Sequence, residues 1–239
     1  MNKAISLKDH DISVFACRLY NHDYLWFSSH EISKISTTLP VIHNYALTYS
    51  LGDFSYGISW KTSPSYEDDL ACIPLYATPA LATSSSRTRI TYNAINSRTL
   101  RTDDAPSGIN SPDMGWRNYL DPVYPTDNRS AQQLGYACYL FIFNDQKPKG
   151  VTRLGKKGAA MRIYWEEIES TLALYKEEPV RPTHPLNPLD ISGIVSSYEP
   201  IVIPPHLLLR TAEVQNDWFI FSGLHRVHVP KRVLQKCQA

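Results

Sequence analysis

The chain has 239 residues, 43% of them hydrophobic, and a formal net charge of +1. That length and apolar content suit a packed core in one generous domain or two small ones. The near-zero charge excludes a binder that attracts polyanions over its whole surface, so any nucleic-acid site has to be local.

At the amino terminus, "MNKAISLKDHDISVF" lacks the apolar core of a signal peptide, and no uninterrupted apolar run reaches membrane-spanning length; a cytoplasmic protein that meets no membrane is expected. "DISVFACRLY" is apolar on both alternating sets, Phe15, Cys17 and Leu19 against Val14 and Ala16, and reads as a central strand covered on both faces. In "TTLPVIHNYALTYSLG", Pro40 sits in the first turn and Gly52 at the end of a short amphipathic helix carrying Ile42, Tyr45, Ala46 and Tyr49. "LACIPLYAT" and "RTRITYNAI" then read as strands, and "LGYACYLFIFND" is the strongest strand signal in the chain.

Between Thr99 and Gln132 the sequence is dense in Pro, Gly, Asp, Asn and Ser and has no periodicity. It reads as an insertion, bounded at 97–133, that reaches out of the fold. Trp116, Arg117, Tyr119 and Tyr124 within it need a covering surface, either an external partner on assembly or the parent sheet. Further on, "ESTLALYKEE" can form a helix, with Glu166, Glu167 and Glu169 at its start. The Pro-rich "PVRPTHPLNPLDI" and "EPIVIPPHLL" run extended, and "DWFIFSG" and "HRVHV" close the chain as short strands. Strand, helix and further strands in this order predict an α+β sheet fold over 1–239, with 170–239 as a carboxy-terminal elaboration.

Cys17, Cys72, Cys138 and Cys237 stand far apart without a C-x-x-C pair, and read as reduced core residues. His225 and His228 are three apart on an expected strand, where they point to opposite faces, so no shared metal is expected. Neither G-x-x-x-x-G-K-[ST] nor G-x-G-x-x-G occurs, and no cofactor is expected.

Charge is uneven along the chain. No acidic residue falls between Asp69 and Asp103, a window that holds Arg87, Arg89, Arg98 and Arg101. A second acid-free window, Gln146 to Trp165, holds Lys147, Lys149, Arg153, Lys156, Lys157 and Arg162 together with Gly150, Gly155 and Gly158. Glycines let the backbone approach a ligand closely, and free N–H groups beside cations suit a phosphate backbone; a solvated hairpin has the same composition. Tyr92, Tyr164 and Trp165 lie beside these windows as stacking platforms or, in their apolar strand patterns, as core residues.

In that order and at those separations, "LPVIHNYALTYSLG", "VTRLGKKGAAMRIYW", "HPLNPLDI" and "IPPHLLLR" resemble the small subunit of the type I-D CRISPR effector complex (Cascade), the Cas-five-like member of the RAMP superfamily. The resemblance covers nearly the whole chain and is weakest from Ala105 to Arg129. It implies a ferredoxin-like (RRM-type) RAMP domain with an antiparallel sheet, a long insertion and a glycine-rich loop. It also implies a subunit that caps the 5′ handle of the CRISPR RNA and touches the filament backbone and large subunits, close to the protospacer-adjacent motif of target DNA. The RNA-binding residues so implied are Arg153, Gly155, Lys156, Lys157, Gly158 and Arg162, with His43 and Tyr45 on the helix. Arg87, Arg89, Arg98 and Arg101, with Trp116, Arg117 and Tyr119 of the insertion, are left for target DNA or the insertion's own partners.

Some RAMP proteins cut precursor RNA, which makes a metal-independent endoribonuclease the alternative, with His43, Tyr45 and Lys156 or Lys157 as acid and base. One histidine without a visible partner speaks for packing over catalysis, and the expectation is a non-catalytic RNA-binding subunit. A sheet scaffold that binds no nucleic acid is the third reading.

Overall fold

In the computed structural model the described residues are 3–32, 35–52, 65–94, 113–144, 146–169 and 171–238. The first half runs through β1 (Ala4–Ser6), β2 (Ile12–Asn21), β3 (His30–Ile32), β4 (Ile35–Thr37), β5 (Val41–Ile42), helices α1 (Asn44–Leu51) and α2 (Tyr66–Cys72), β6 (Leu75–Ala77), β7 (Ala80–Ala82) and β8 (Arg87–Ala94). Next come β9 (Asp113–Leu120), α3 (Asn128–Gln133), β10 (Tyr136–Phe143), β11 (Val151–Leu154), β12 (Ala159–Glu167) and β13 (Leu172–Lys176). The last part holds β14 (Ile194–Ile201), β15 (Leu208–Gln215), β16 (Asp217–Ser222), β17 (His225–His228) and α4 (Lys231–Gln238).

These elements make an α+β fold of mostly antiparallel sheet. The central sheet has the order β11-β12-β2-β10-β7-β5, with β6 also paired to β10. A second sheet, β1-β13-β16-β17, and a β14-β15 pair are built from chain-terminal segments, and an arm has the order β3-β4-β9-β8. Among these pairings only β4 with β9 is parallel. No helix among the described residues is long and apolar enough to cross a membrane.

The middle of the sheet is β2 against β10, in a register that sets Cys17 opposite Cys138 and Phe15 opposite Leu140. Alternation sends Phe15, Cys17 and Leu19 into a core beneath α1, while Ile12 and Val14 enter a second core with Ile220, Val227 and Val233. Both faces are covered, which is why β2 and β10 are apolar almost throughout.

Several expectations need correction. The helix begins at Asn44, not near Pro40, because Val41 and Ile42 pair with Leu81 and Ala80 and are buried as strand. Gly52 does end it, and a Cβ there would run into the Ile73 side chain and the Thr48 carbonyl. In "LACIPLYAT", Leu70 to Cys72 finish α2, and Ile73, held extended before Pro74, ends it; only Leu75–Ala77 is strand. "TLALYK" is β13, paired to β1 on one side and β16 on the other, in place of a helix. Glu166 and Glu167 accordingly lie on β12, and Glu169 follows it. "DWFIFSG" and "HRVHV" are the strands β16 and β17 as expected, but a helix not foreseen, α4, follows them, with Val233 and Leu234 buried. Cys17 and Cys138 are core residues, whereas Cys72 is exposed and Cys237 half-buried. The 99–132 stretch carries regular structure at 113–120 and 128–133, and β9 pairs with β8 from Asp113↔Ala94 to Leu120↔Arg87.

Candidate nucleic-acid interface

Strands β11 and β12 form a hairpin whose turn is Gly155 to Gly158. Both glycines are left-handed, at φ 79° and 64°, a conformation glycine takes without a Cβ penalty, and Gly158 N–H closes the turn on the Gly155 carbonyl at 3.0 Å. Inward residues Thr152, Leu154, Ala159 and Met161 are buried, while Arg153, Lys156, Lys157 and Arg162 are exposed. Arg153 donates to the Gly158 carbonyl at 3.0 Å and so braces the turn.

The turn rests on a segment that the sequence reading passed over, the stretch after β2. Lys156 N–H donates to the Trp26 carbonyl at 2.9 Å, and a Cβ on Gly155 would stand 2.9 Å from that same oxygen. Trp26 is only 6% exposed, and it forms the centre of a cation–aromatic cluster. The Arg117 guanidinium lies 4.2 Å and the Lys156 ammonium 4.9 Å from its ring centroid. Tyr119 is tilted against it at 6.1 Å, and Lys157 lies 5.3 Å from the Tyr119 ring. Hairpin tip and insertion therefore meet at one place.

Strand alternation divides the insertion residues. Arg117 and Tyr119 face Trp26, and Tyr119 is buried at 3% exposure, as a loop folded back onto its parent requires. Trp116 faces the other way, 38% exposed and in register with Ile35 and Thr91. Arg89, on β8, donates to Asn118 at 3.3 Å on that outer face, and Arg87 donates to the Thr38 carbonyl at 3.2 Å. Tyr124 is 60% exposed, its hydroxyl donating to the His22 carbonyl at 2.9 Å. Arg98 and Arg101 lie outside the described residues. Of the neighbouring aromatics, Trp165 packs on the core against Phe15 at 5.5 Å, and Tyr164 is half-buried.

Lys156 also borders a pocket of about 300 Å³ lined by Phe27, His43, Tyr45, Tyr49 and Tyr66. Tyr45 stacks on Tyr66 at 4.7 Å, and His206 sets its edge against both His43 and Tyr45. His43 caps α1, its Nδ1 accepting from Tyr45 N–H at 3.2 Å. Burial, with His206 beside it, lowers its pKa to about 3, so the ring is neutral and carries its one proton on Nε2.

The other histidines lie elsewhere. His228 Nε2 meets Asp217 Oδ2 at 2.7 Å in the core, while His225 Nδ1 meets the Tyr139 hydroxyl at 2.7 Å, so the two belong to different networks. No group of three metal-ligating side chains occurs among the described residues.

A family model described as Type I-D CRISPR-associated protein Cas5/Csc1 matches residues 12–236. The chain belongs to that family. The match runs from β2 into α4 and so includes hairpin, insertion and aromatic pocket alike. Membership makes this Cas5/Csc1 chain a CRISPR effector subunit, with CRISPR RNA and other subunits implied as partners. None of the curated proteins matches it. Among solved structures it is similar to a chain of the type III-B Cmr-beta complex bound to cognate target RNA and AMPPnP, at 12% identity and a TM-score of 0.47, covering 84% of this chain and 86% of that one.

Proposed function

We propose that this Cas5/Csc1 chain is a non-catalytic subunit that caps the 5′ handle of the CRISPR RNA, with the β11–β12 turn against the RNA backbone, and touches the large subunit near the protospacer-adjacent motif. The observation that carries it is the junction at Trp26, where Lys156, Lys157 and Arg117 from two distant segments converge around aromatic rings. A single strand needs cations for its phosphates and exposed backbone near its sugars, and a rigid hairpin tip offers both. The ferredoxin-like reading is supported by the alternately antiparallel order β12-β2-β10-β7 and by α1 lying between β2 and β6 in the chain. Among the described residues no helix stands between β10 and β12; β11 occupies that part of the chain.

One observation favours an endoribonuclease, the convergence of His43, Tyr45 and Lys156 on one pocket. The state of His43 weighs against it. A neutral ring whose Nδ1 is committed to Tyr45 and whose Nε2 holds the proton has no free lone pair to act as base, and at a pKa of about 3 it is not charged to act as acid. Incubating the purified chain with labelled repeat RNA in EDTA tests the proposal: retention without cleavage is expected. Cleavage products would establish the nuclease, and neither retention nor cleavage would leave a scaffold.

A further inference from the structure

A larger cavity, about 640 Å³, lies between α1, α2 and α4 and includes no residue of the β11–β12 hairpin. One wall is apolar, made by Leu70, Ile73, Leu75 and Phe143. The opposing wall is α4. Its Val233 and Leu234 are buried in the core, which turns Lys231, Arg232 and Lys236 to the cavity. Arg232 is paired with buried Asp190 at 3.3 Å. Lys231 and Lys236 are exposed and, among the described residues, enter no ion pair.

The polar groups of the floor are bonded to one another, and Asp190 Oδ1, which accepts no hydrogen bond, has the Arg232 ion pair. Tyr76 donates to Asp190 Oδ2 at 2.7 Å, Asn44 Nδ2 reaches that oxygen at 3.4 Å, and Asn187 donates to Asn44 Oδ1 at 3.4 Å. The apolar wall gives the edge of a nucleobase no hydrogen-bond partner, so a base seated against it would bury polar groups at a cost. What the cavity still offers is an apolar wall beside the ammonium groups of Lys231, which also acts on Asp190 from a distance, and Lys236. Leu189, 53% exposed at the rim, extends the apolar surface outwards.

We propose that this cavity is the docking site for an acidic segment of a neighbouring protein subunit, one apolar side chain seated against Leu70, Ile73 and Leu75 and its flanking carboxylates on Lys231 and Lys236. The charge complementarity fixes register and rejects phosphate-rich partners that bring no apolar anchor. The proposal rests on the chain's place in an effector assembly; it shares Tyr45 with the pocket beside the hairpin but none of the hairpin's cations.

The test uses the assembled complex with p-benzoylphenylalanine at exposed position 235, on the cavity side of α4. Irradiation should join it to one protein subunit, within a segment that pairs an apolar residue with two or more carboxylates inside one helical turn. Lys231→Glu with Lys236→Glu should lower the cross-link yield about tenfold, with bound CRISPR RNA unchanged. Cross-links to RNA or DNA, to a segment without that pattern, or to nothing overturn the proposal, as does an unchanged yield in the double variant. RNA content, measured on the same samples, reports separately on the handle-binding reading.

Discussion

Lys156 and Trp26 are joined twice: the lysine N–H donates to the tryptophan carbonyl at 2.9 Å, and the lysine ammonium lies 4.9 Å from the indole centroid. The backbone contact fixes the hairpin tip, and the side-chain contact holds the charge at a site shared with Arg117. A loop whose composition suits a solvated hairpin as well as a ligand-binding turn is thereby anchored, with its cations at the edge of a buried ring.

Removing that charge should change RNA binding through its salt dependence. Arg153→Ala, Lys156→Ala and Lys157→Ala together are expected to flatten the slope of log affinity against log salt by roughly two units, given about 0.7 per phosphate contact on a single strand. Filter binding of the handle RNA across a salt series measures it, and an unchanged slope would remove the hairpin from the site.

The two turn glycines make an internal control. Gly155→Ala meets both a left-handed φ and the Trp26 carbonyl, whereas Gly158→Ala has the same strain with open space around it. Gly158→Ala should cost about 1–2 kcal/mol, and Gly155→Ala measurably more, with RNA affinity lost only in the latter. Urea unfolding of the two variants decides; equal costs would mean that the tip does not seat on Trp26.

Stability should fall on mild acidification. His43 and His184 both have their pKa lowered from 6.5 to about 3, chiefly by burial. Above about pH 6.5 both are neutral folded or unfolded, and their contribution is intact. Between about 6.5 and 3 the unfolded chain takes up protons that the folded one refuses, so stability drops by about 1.4 kcal/mol per pH unit for each. Asp217, held below its usual range because hydrogen bonds from His228, Gly193 and Ser192 outweigh burial, adds a loss only at still lower pH. His225, also lowered by burial, adds to the same fall; melting curves from about pH 7.5 to 5.5 check this, and His184→Gln should remove one histidine's share of the slope.

The outer face of the arm offers a separable phenotype. Arg89 and Trp116 are turned away from the hairpin, so Arg89→Ala in the assembled complex should weaken target DNA equally across motif variants and leave bound CRISPR RNA in place. Loss of RNA instead would assign this face to the handle.

How much of this the sequence revealed depends on how many surfaces each strand serves. β2 and β10 are apolar on both faces because two cores claim them, and they were plain. β9 was hidden because its two faces do different work, Arg117 and Tyr119 inward on Trp26, Trp116 and Asn118 outward, which leaves no apolar period to find. In β13 the residues of "TLALYK" favour a helix in isolation, and strand pairing with β1 and β16, remote in the chain, overrides them. The basic window with Arg153, Lys156 and Lys157 was visible in the sequence, while the RNA-binding role of those residues is implied only by the family resemblance. Trp26 was not, because its place depends on contacts from two segments that the chain brings together only when folded.

The parallel pairing of Ile35 with Trp116 has a consequence for the order in which the arm is expected to form. Parallel neighbours cannot be joined by a tight turn, and here the connection between them contains α1, α2 and the strands from β5 to β8. Loop closure across so much chain is slow until the intervening core has condensed. The arm is therefore expected to close last and open first, with amide exchange faster in β9 than in β10. On the proposed function, an RNA strand bridging Lys156 on the hairpin and Arg117 on the arm would act as a clasp across that late seam, and binding would slow the opening of the segment that holds it.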